Sequence, residues 1–498
     1  MNAQPVWAAH PRPTFPTLTA DVHADALVIG GGIAGVTAAY LLAKAGKSVV
    51  LLEKEHLGGG ETGHTTAHIS YPTDKRLTEL VHSFGLDHAQ AIWDACQASS
   101  QQIADNVAAE AIDCELRRVP SYLYACGEDV EAEAKKLREE AALAQRLGFD
   151  AHYTSSCPVT RQPAIVFANL LKFHPTKYLS ALAQSAVKAG ARIFEKSEAG
   201  EFDKDASQVT CNGHKVTYQH VFIATHVPLQ GGANTLNAAL LQTKLAGYST
   251  YALGARLPSG SAPEALWWDT ADPYFYLRID RSDDDLYAIA GGEDHKTGQE
   301  GNTEAHYTSL TAKLHSLFPE AVPDHRWSGQ VIETVDGLPY IGEYAGQFVA
   351  TGFSGTGMTF GTLSAMMFAD RVKGIANPWR DLFHVDRKHL SGAWDYLKEN
   401  KDYPWYLLKR PFIGASNDPS QVLTGEGKIL RHDHQKVAAY RDEDGKLTLL
   451  SAICPHMGCV VNWNAADKSW DCPCHGSRFT AKGKVIAGPA ESPLKPVG

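Results

Sequence analysis

Ala26-Leu-Val-Ile-Gly30-Gly-Gly-Ile-Ala-Gly35 opens the globular part of the chain and decides how its first domain folds. The four apolar residues 26–29 have the length and character of a buried parallel strand. A glycine turn follows, and residues 36–45, closed by Gly46, read as a helix. Residues 48–52 are a second apolar, β-branched run that stops at Glu53. The whole is a β-α-β unit. Gly30, Gly32 and Gly35 match G-x-G-x-x-G in the context that gives the pattern meaning, between a strand and a helix. The first glycine permits the tight turn, the second lets a pyrophosphate approach the backbone, and the third lets helix and strand pack closely. The helix N-terminus, at Ile33 and Ala34, favours the phosphate charge. Glu53, followed by Lys54, is placed to accept from a ribose hydroxyl. The unit therefore binds a dinucleotide.

Further along, residues 131–147 read as a charged amphipathic helix, 178–190 and 191–195 as helix then strand, and 221–224 as a short strand leading into Thr225. From about 240 to 295 the pattern turns to alternation, as in Pro273-Tyr-Phe-Tyr-Leu-Arg-Ile-Asp280, which predicts a mixed or antiparallel sheet in a different domain. Tyr274, Tyr276 and Arg278 share one face of that strand. Tyr276 and Arg278 are candidates for a clamp on a substrate carboxylate; the alternative is a face that meets solvent or another domain. Tyr248 and Tyr251 read as packing residues. Residues 348–351 resume the short-strand pattern, with a glycine-rich turn and a helix at 360–373 behind it. Residues 376–420 read as a linker with short helices, and 421–498 as a small unit of short strands and turns.

That last unit carries two boxes, Cys454-Pro-His456-Met-Gly-Cys459 and Cys472-Pro-Cys474-His475-Gly-Ser477. Zinc fingers pair like with like, two cysteines and then two histidines. Here each box mixes thiolate with imidazole, so Cys454, His456, Cys472 and His475 are the expected ligands of a Rieske-type [2Fe–2S] cluster. Four of the nine cysteines lie in these boxes; the other five are scattered and read as buried thiols.

Composition restricts the function classes. A net charge of −10 argues against a general nucleic-acid binder. No run of 18 apolar residues predicts a membrane span, and residues 1–16 lack a signal-peptide pattern, so the expectation is a cytoplasmic enzyme.

Family resemblances sharpen this. The cluster boxes resemble those of bc-type Rieske proteins, which implies a disulfide between Cys459 and Cys474 and a covering loop at Gly488-Pro-Ala490. Thr351-Gly-Phe-Ser-Gly355-Thr-Gly357-Met-Thr359, behind Asp336-Gly-Leu-Pro339, resembles the C-terminal FAD signature of the D-amino-acid oxidase (DAO) superfamily. Gly60-Glu-Thr62-Gly-His64-Thr65-Thr66-Ala67-His68 looks like the segment lying along the flavin in that superfamily, most closely in bacterial members with a C-terminal Rieske domain. Trp7, His174-Pro-Thr-Lys-Tyr178, Ala224-Thr-His226 and Gly291-Gly-Glu-Asp-His295 fit the same subgroup.

The resemblance implies an α/β Rossmann-like FAD-binding domain, an interleaved mixed/antiparallel-sheet substrate domain, and a small all-β Rieske domain. It assigns residues 24–75, 175–230 and 330–375 to FAD binding, with 76–174 and 231–329 to the substrate domain. It adds Thr62, Thr65, Thr66, Ala67, Ala224, Thr225, Gly352, Gly355, Thr356, Gly357, Met358 and Thr359 to the FAD site. Thr356 stands where many members have histidine, so that contact does not transfer. His64 and His68 are the points where a covalent flavin link would form, although non-covalent FAD is the expectation. The implied activity is oxidation of an amine, N-methylated amine or amino acid by hydride transfer to flavin. Electrons then pass through the cluster to an external acceptor of ferredoxin, cytochrome or quinone type. Two alternatives stay open: flow from the cluster into the flavin for a reductive or oxygenating reaction, or an electron-transfer component of a larger complex. No catalytic side chain is assigned.

Overall fold

The fold is that of a computed structural model, which describes residues 1–228, 241, 244–282, 285–387, 418–432 and 435–497. Most of the expected linker, 388–417, lies outside them.

The opening strand is Val22–Ile29, and its last four residues are fully buried. It is flanked in parallel by Val49–Leu52 and by His214–Ile223, with Ile29 opposite both Leu52 and Ile223. Burial on both faces is why this strand reads as a continuous apolar run rather than an alternating one. The sheet runs Tyr340–Tyr344, Gln347–Thr351, His214–Ile223, Val22–Ile29, Val49–Leu52, Arg192–Phe194. The helix after the glycine turn is Ile33–Lys44, three residues longer at its start than the apolar pattern suggested. It packs against Gly357–Lys373, where a Cβ on Gly361 would lie 2.7 Å from Ile33 Cγ2, so only glycine permits this approach.

A second, nine-stranded sheet forms the neighbouring domain. Eight of its strands run Val322–Thr334, Leu245–Leu257, Asp285–Lys296, Phe275–Ser282, Leu266–Asp269, Arg117–Tyr124, Ala164–Lys172, His68–Ile69, and the ninth, Ala151–Thr154, pairs with Ala164–Lys172 off this path. The strand Val322–Thr334 carries this sheet across position 330, and His68–Ile69 brings part of the flavin-side loop into it.

The C-terminal domain is all β, a three-stranded sheet (Gly427–His432, Gln435–Arg441, Leu447–Ser451) and a four-stranded one (Asn462–Asn464, Ser469–Asp471, Arg478–Thr480, Val485–Ala487). It docks on the second sheet through backbone and side-chain bonds. Asn462 Nδ2 donates to Gly298 O at 2.7 Å, Gln299 Nε2 to Pro473 O at 3.0 Å, and Ser328 Oγ to Asp467 Oδ2 at 2.6 Å. Gly298, at φ +76°, lets the backbone at Asp471–Pro473 approach so closely that a Cβ would lie 2.8 Å from it. Among the described residues no helix is long and apolar enough to cross a membrane.

Candidate functional site

One cavity of about 1630 Å³ runs along the glycine turn, between the two large sheets, to the edge of the C-terminal domain. Single-ligand pockets occupy roughly 300–1,000 Å³, so this one has room for a dinucleotide and a substrate together.

At its first end the turn is built for close approach. Gly30 sits at φ +108°, and a Cβ there would lie 2.6 Å from Ala224 O. A Cβ on Gly35 would lie 1.9 Å from Gly30 O, so strand and helix meet backbone to backbone. Glu53 lines the cavity and accepts from Gly31 N at 2.8 Å and Glu55 N at 2.8 Å. Thr62 Oγ1 accepts from Ile33 N at 3.0 Å, which ties the following loop to the helix N-terminus.

That loop is fastened from three sides. Trp7 Nε1 donates to Thr65 O (2.6 Å), Trp327 Nε1 to His64 O (2.7 Å), and Arg278 Nη1 to Thr66 O (2.9 Å). Arg278 also bonds Ala67 O, Phe173 O and both carboxylate oxygens of Asp280, and its guanidinium lies over the Trp7 ring. It is 1% exposed and does not line the cavity. The expected Tyr276–Arg278 clamp is therefore corrected: Tyr276 faces the cavity, whereas Arg278 is spent on holding the loop. Alternation placed both residues on one face, but a guanidinium takes the carbonyls within its reach. Replacing Arg278 by alanine should cost about 3–5 kcal/mol, the scale for breaking a buried ion pair. Chemical denaturation would register it, and an unchanged midpoint would contradict this role.

Of the other expected FAD-site residues, Gly32, Ile33, Ala34, Lys54, Thr65, Thr66, Ala224, Thr225, Gly355, Thr356, Gly357 and Met358 line the cavity. Gly35, Ala67, Gly352 and Thr359 stand behind its wall: Thr359 Oγ1 bonds Ser70 O, and Gly352, at φ +75°, packs on Thr334. Buried polar atoms with no hydrogen-bond partner face this region, namely His68 Nε2, His226 Nε2, Thr250 Oγ1, Asp294 Oδ1 and Gln330 Oε1. Such atoms are costly unless something satisfies them. With the glycine cradle they fit an FAD whose heteroatoms supply the missing partners. Burial pushes His68 down to about 3, so the ring is neutral, and its Nδ1 bonds Thr66 Oγ1 at 3.2 Å. His226, Asp294 and the residues around them were quoted in the sequence only as parts of short motifs. Gln330 carried no signal there.

The C-terminal boxes converge. Cys454 and Cys472 hydrogen-bond each other, and the His456 and His475 rings lie 4.9 Å apart. Burial lowers both imidazoles to about 4, leaving them neutral as ligands must be. Cys459 and Cys474 are joined in a disulfide. Their sulfurs lie within 4.8 Å of that of Cys472 but are not available as thiolates. The disulfide leaves two thiols and two imidazoles as the donor set, with His456 Nδ1 buried and unpartnered, and that set fits a Rieske cluster. Ala490 N donates to Ser477 Oγ at 3.0 Å, which lays the Gly488–Ala490 loop on the second box.

The two ends are joined by Gln330. Its backbone N donates to Glu61 Oε2 in the flavin-side loop at 2.8 Å, and its Nε2 donates to Gly476 O, the residue after His475, at 2.7 Å. Gln330 lines the cavity.

The family model for FAD-dependent oxidoreductases of the DAO type matches residues 25–371, and that for the Rieske [2Fe-2S] domain matches 415–497. The Rieske 2Fe-2S iron-sulfur protein YhfW of Bacillus subtilis (strain 168) is 33% identical over 495 residues, 97% of this chain and 95% of that one. In fold, the chain is similar to glycine oxidase from Geobacillus kaustophilus (TM-score 0.60, 20% identity, 74% of this chain and 99% of that one). It is also similar to L-proline dehydrogenase from P. horikoshii (TM-score 0.60, 18% identity, 75% and 98%).

Proposed function

The chain belongs to the DAO family of FAD-dependent oxidoreductases and ends in a Rieske [2Fe-2S] domain; on that premise we propose that it oxidises an amine, N-methylated amine or amino acid and passes the electrons out through the cluster. The observation that carries this reading is Gln330, which lines the cavity and donates from Nε2 to Gly476 O in the second cluster box. We also propose the residue assignments: Cys454, His456, Cys472 and His475 hold the cluster, and the glycine turn, the 60–68 loop and the 355–358 turn hold FAD. The domain limits given above are proposed in the same sense, with 376–420 as the linker.

Bound, FAD supplies a two-electron acceptor for hydride and the cluster a one-electron carrier. The chain does the rest. The N-terminus of Gly357–Lys373 presents its helix dipole to the cavity, where negative charge is favoured. Tyr274, Tyr276 and Trp268 wall the space beside it and keep water from the reacting carbon. Tyr276 is kept in its neutral phenol form by burial. Gln330 ties the second cluster box to the flavin-side loop, and through it the elements that would hold the cluster and FAD are joined. On the outer side of the first box Pro455 and Met457 are exposed beside His456, which supports an external acceptor reaching the cluster there.

The test is an anaerobic panel of amines, N-methylated amines and amino acids added to the holoenzyme without any donor. At least one class should bleach the flavin absorbance. Turnover that requires a pre-reduced electron donor would favour the reverse flow instead.

A further inference from the structure

The wall of the cavity opposite the glycine turn is acidic. Asp74, Asp269, Asp272, Asp294 and Glu333 all line it. Asp74 is exposed and faces the cavity, and the charge of Asp294 acts on it. Asp294 lies on the second sheet, where the hydroxyls of Thr250 and Tyr274 stabilise its carboxylate while its buried Oδ1 makes no close hydrogen bond. Tyr274 in turn reaches to the flavin-side turn, where a Cβ on Gly355 would lie 3.5 Å from its hydroxyl. The carboxylates thus sit one tyrosine away from the turn that holds FAD.

The cations on the loop of Asp74 and on the strand next to Asp294 are engaged by other groups. Arg278 is bound to Asp280 and to the loop carbonyls, Lys75 Nζ to Asp336 O, and Arg76 to Glu133. Among the described residues the basic side chains lining the cavity are Lys54, beside the ribose-binding Glu53, Arg76, and Lys484 of the C-terminal domain. A carboxylate-bearing substrate would find repulsion here, and the one guanidinium among the described lining residues, Arg76, is already paired with Glu133. An ammonium would find two carboxylates and the faces of Tyr274, Tyr276 and Trp268, which attract cations.

We infer that the Asp74–Asp294 wall receives the cationic head of an amine that carries no carboxylate of its own. This rests on the oxidation reading above and narrows it to amines. Desolvation and the charges of Asp294, Glu79 and Asp272 raise Asp74 to about 7; burial and the charges of Asp272 and Glu293 raise Asp294 to about 6 against the hydroxyls of Thr250 and Tyr274, which agrees with carboxylates that gain from an incoming positive charge.

The test uses two probes of matched shape, benzylamine and benzoate, titrated into the oxidised holoenzyme with flavin absorbance and melting temperature as readouts. Benzylamine should bind about tenfold or more tightly than benzoate and raise the melting temperature more, as expected for a desolvated charge contact. Asp294→Asn and Asp74→Asn should each erase most of that preference while FAD stays bound. If Asp294→Asn loses FAD, Asp74→Asn, which faces open cavity, still decides the matter. Tighter binding of benzoate, or a preference unchanged in an Asp74→Asn protein that holds FAD, overturns the inference. Should amines bind as described but never bleach the flavin, the oxidation reading falls and the pocket assignment stands. Bleaching by amino acids together with a benzoate preference does the reverse.

Discussion

Replacing His475 by alanine is expected to strip the [2Fe–2S] cluster from the protein while FAD stays bound and is still bleached by substrate. His475 is the imidazole of the second box, held 4.9 Å from the His456 ring by a loop whose backbone closes through Gly476 N to Cys472 O at 3.0 Å. Beyond the four ligands, the two boxes hold no imidazole or unbridged thiol that can take its place, because Cys459 and Cys474 are joined to one another. Removing a partner that merely supports a ligand commonly costs 10–100-fold in metal affinity, so loss of a ligand should exceed about 100-fold. Iron and acid-labile sulfide should fall together, and turnover with an external acceptor should fall with them. The cavity end of the chain keeps every residue of its own cradle, so flavin content should match the wild type. A protein that keeps its iron would show that another side chain ligates it. Zinc in place of iron and sulfide in the wild type would refute the cluster assignment itself.

The second large effect is expected at Gly35. An alanine Cβ at this position would lie 1.9 Å from Gly30 O and 3.1 Å from Val28 Cγ1. Both sides of the first contact are backbone, so no flexible side chain can move aside. The helix Ile33–Lys44 must shift off the strand, and its N-terminus leaves the place where a pyrophosphate would meet it. Gly35→Ala should therefore purify with less than about a tenth of the wild-type flavin, a loss on the scale of overpacking strains of 1–3 kcal/mol. The cluster chromophore should remain. Gly60→Ala is the control, since a Cβ there meets nothing within 4 Å and Gly60 lies at φ −89°. Full flavin content in Gly35→Ala would contradict the reading of this turn.

The contrast between these positions and the substrate wall shows what a sequence can reveal. The glycine turn and the cluster boxes are local: their chemistry depends on residue types at fixed short spacing, and the structure brings each set together as the spacing implies. The second sheet was also legible, because one solvated or cavity-facing side gives alternation, as in Phe275–Ser282. What alternation cannot report is the partner. Arg278 and Tyr276 share a face, but one meets loop carbonyls contributed by residues 66, 67 and 173 and the other meets the cavity. Asp74 and Asp294 are 220 positions apart, and only the tertiary fold couples their charges. Gln330 is similar. Its backbone N–H bonds Glu61 and its side-chain amide bonds Gly476 across two domains, and a lone glutamine in a strand announces nothing of the kind.

The central claim is that electrons enter at the flavin and leave through the cluster. Its most direct measurement is EPR of the holoenzyme after anaerobic addition of an amine that bleaches the flavin, with no other reductant present. The account predicts that a reduced Rieske signal grows as the flavin bleaches, and that it is absent in His475→Ala. Complete bleaching with the cluster left oxidised would contradict it.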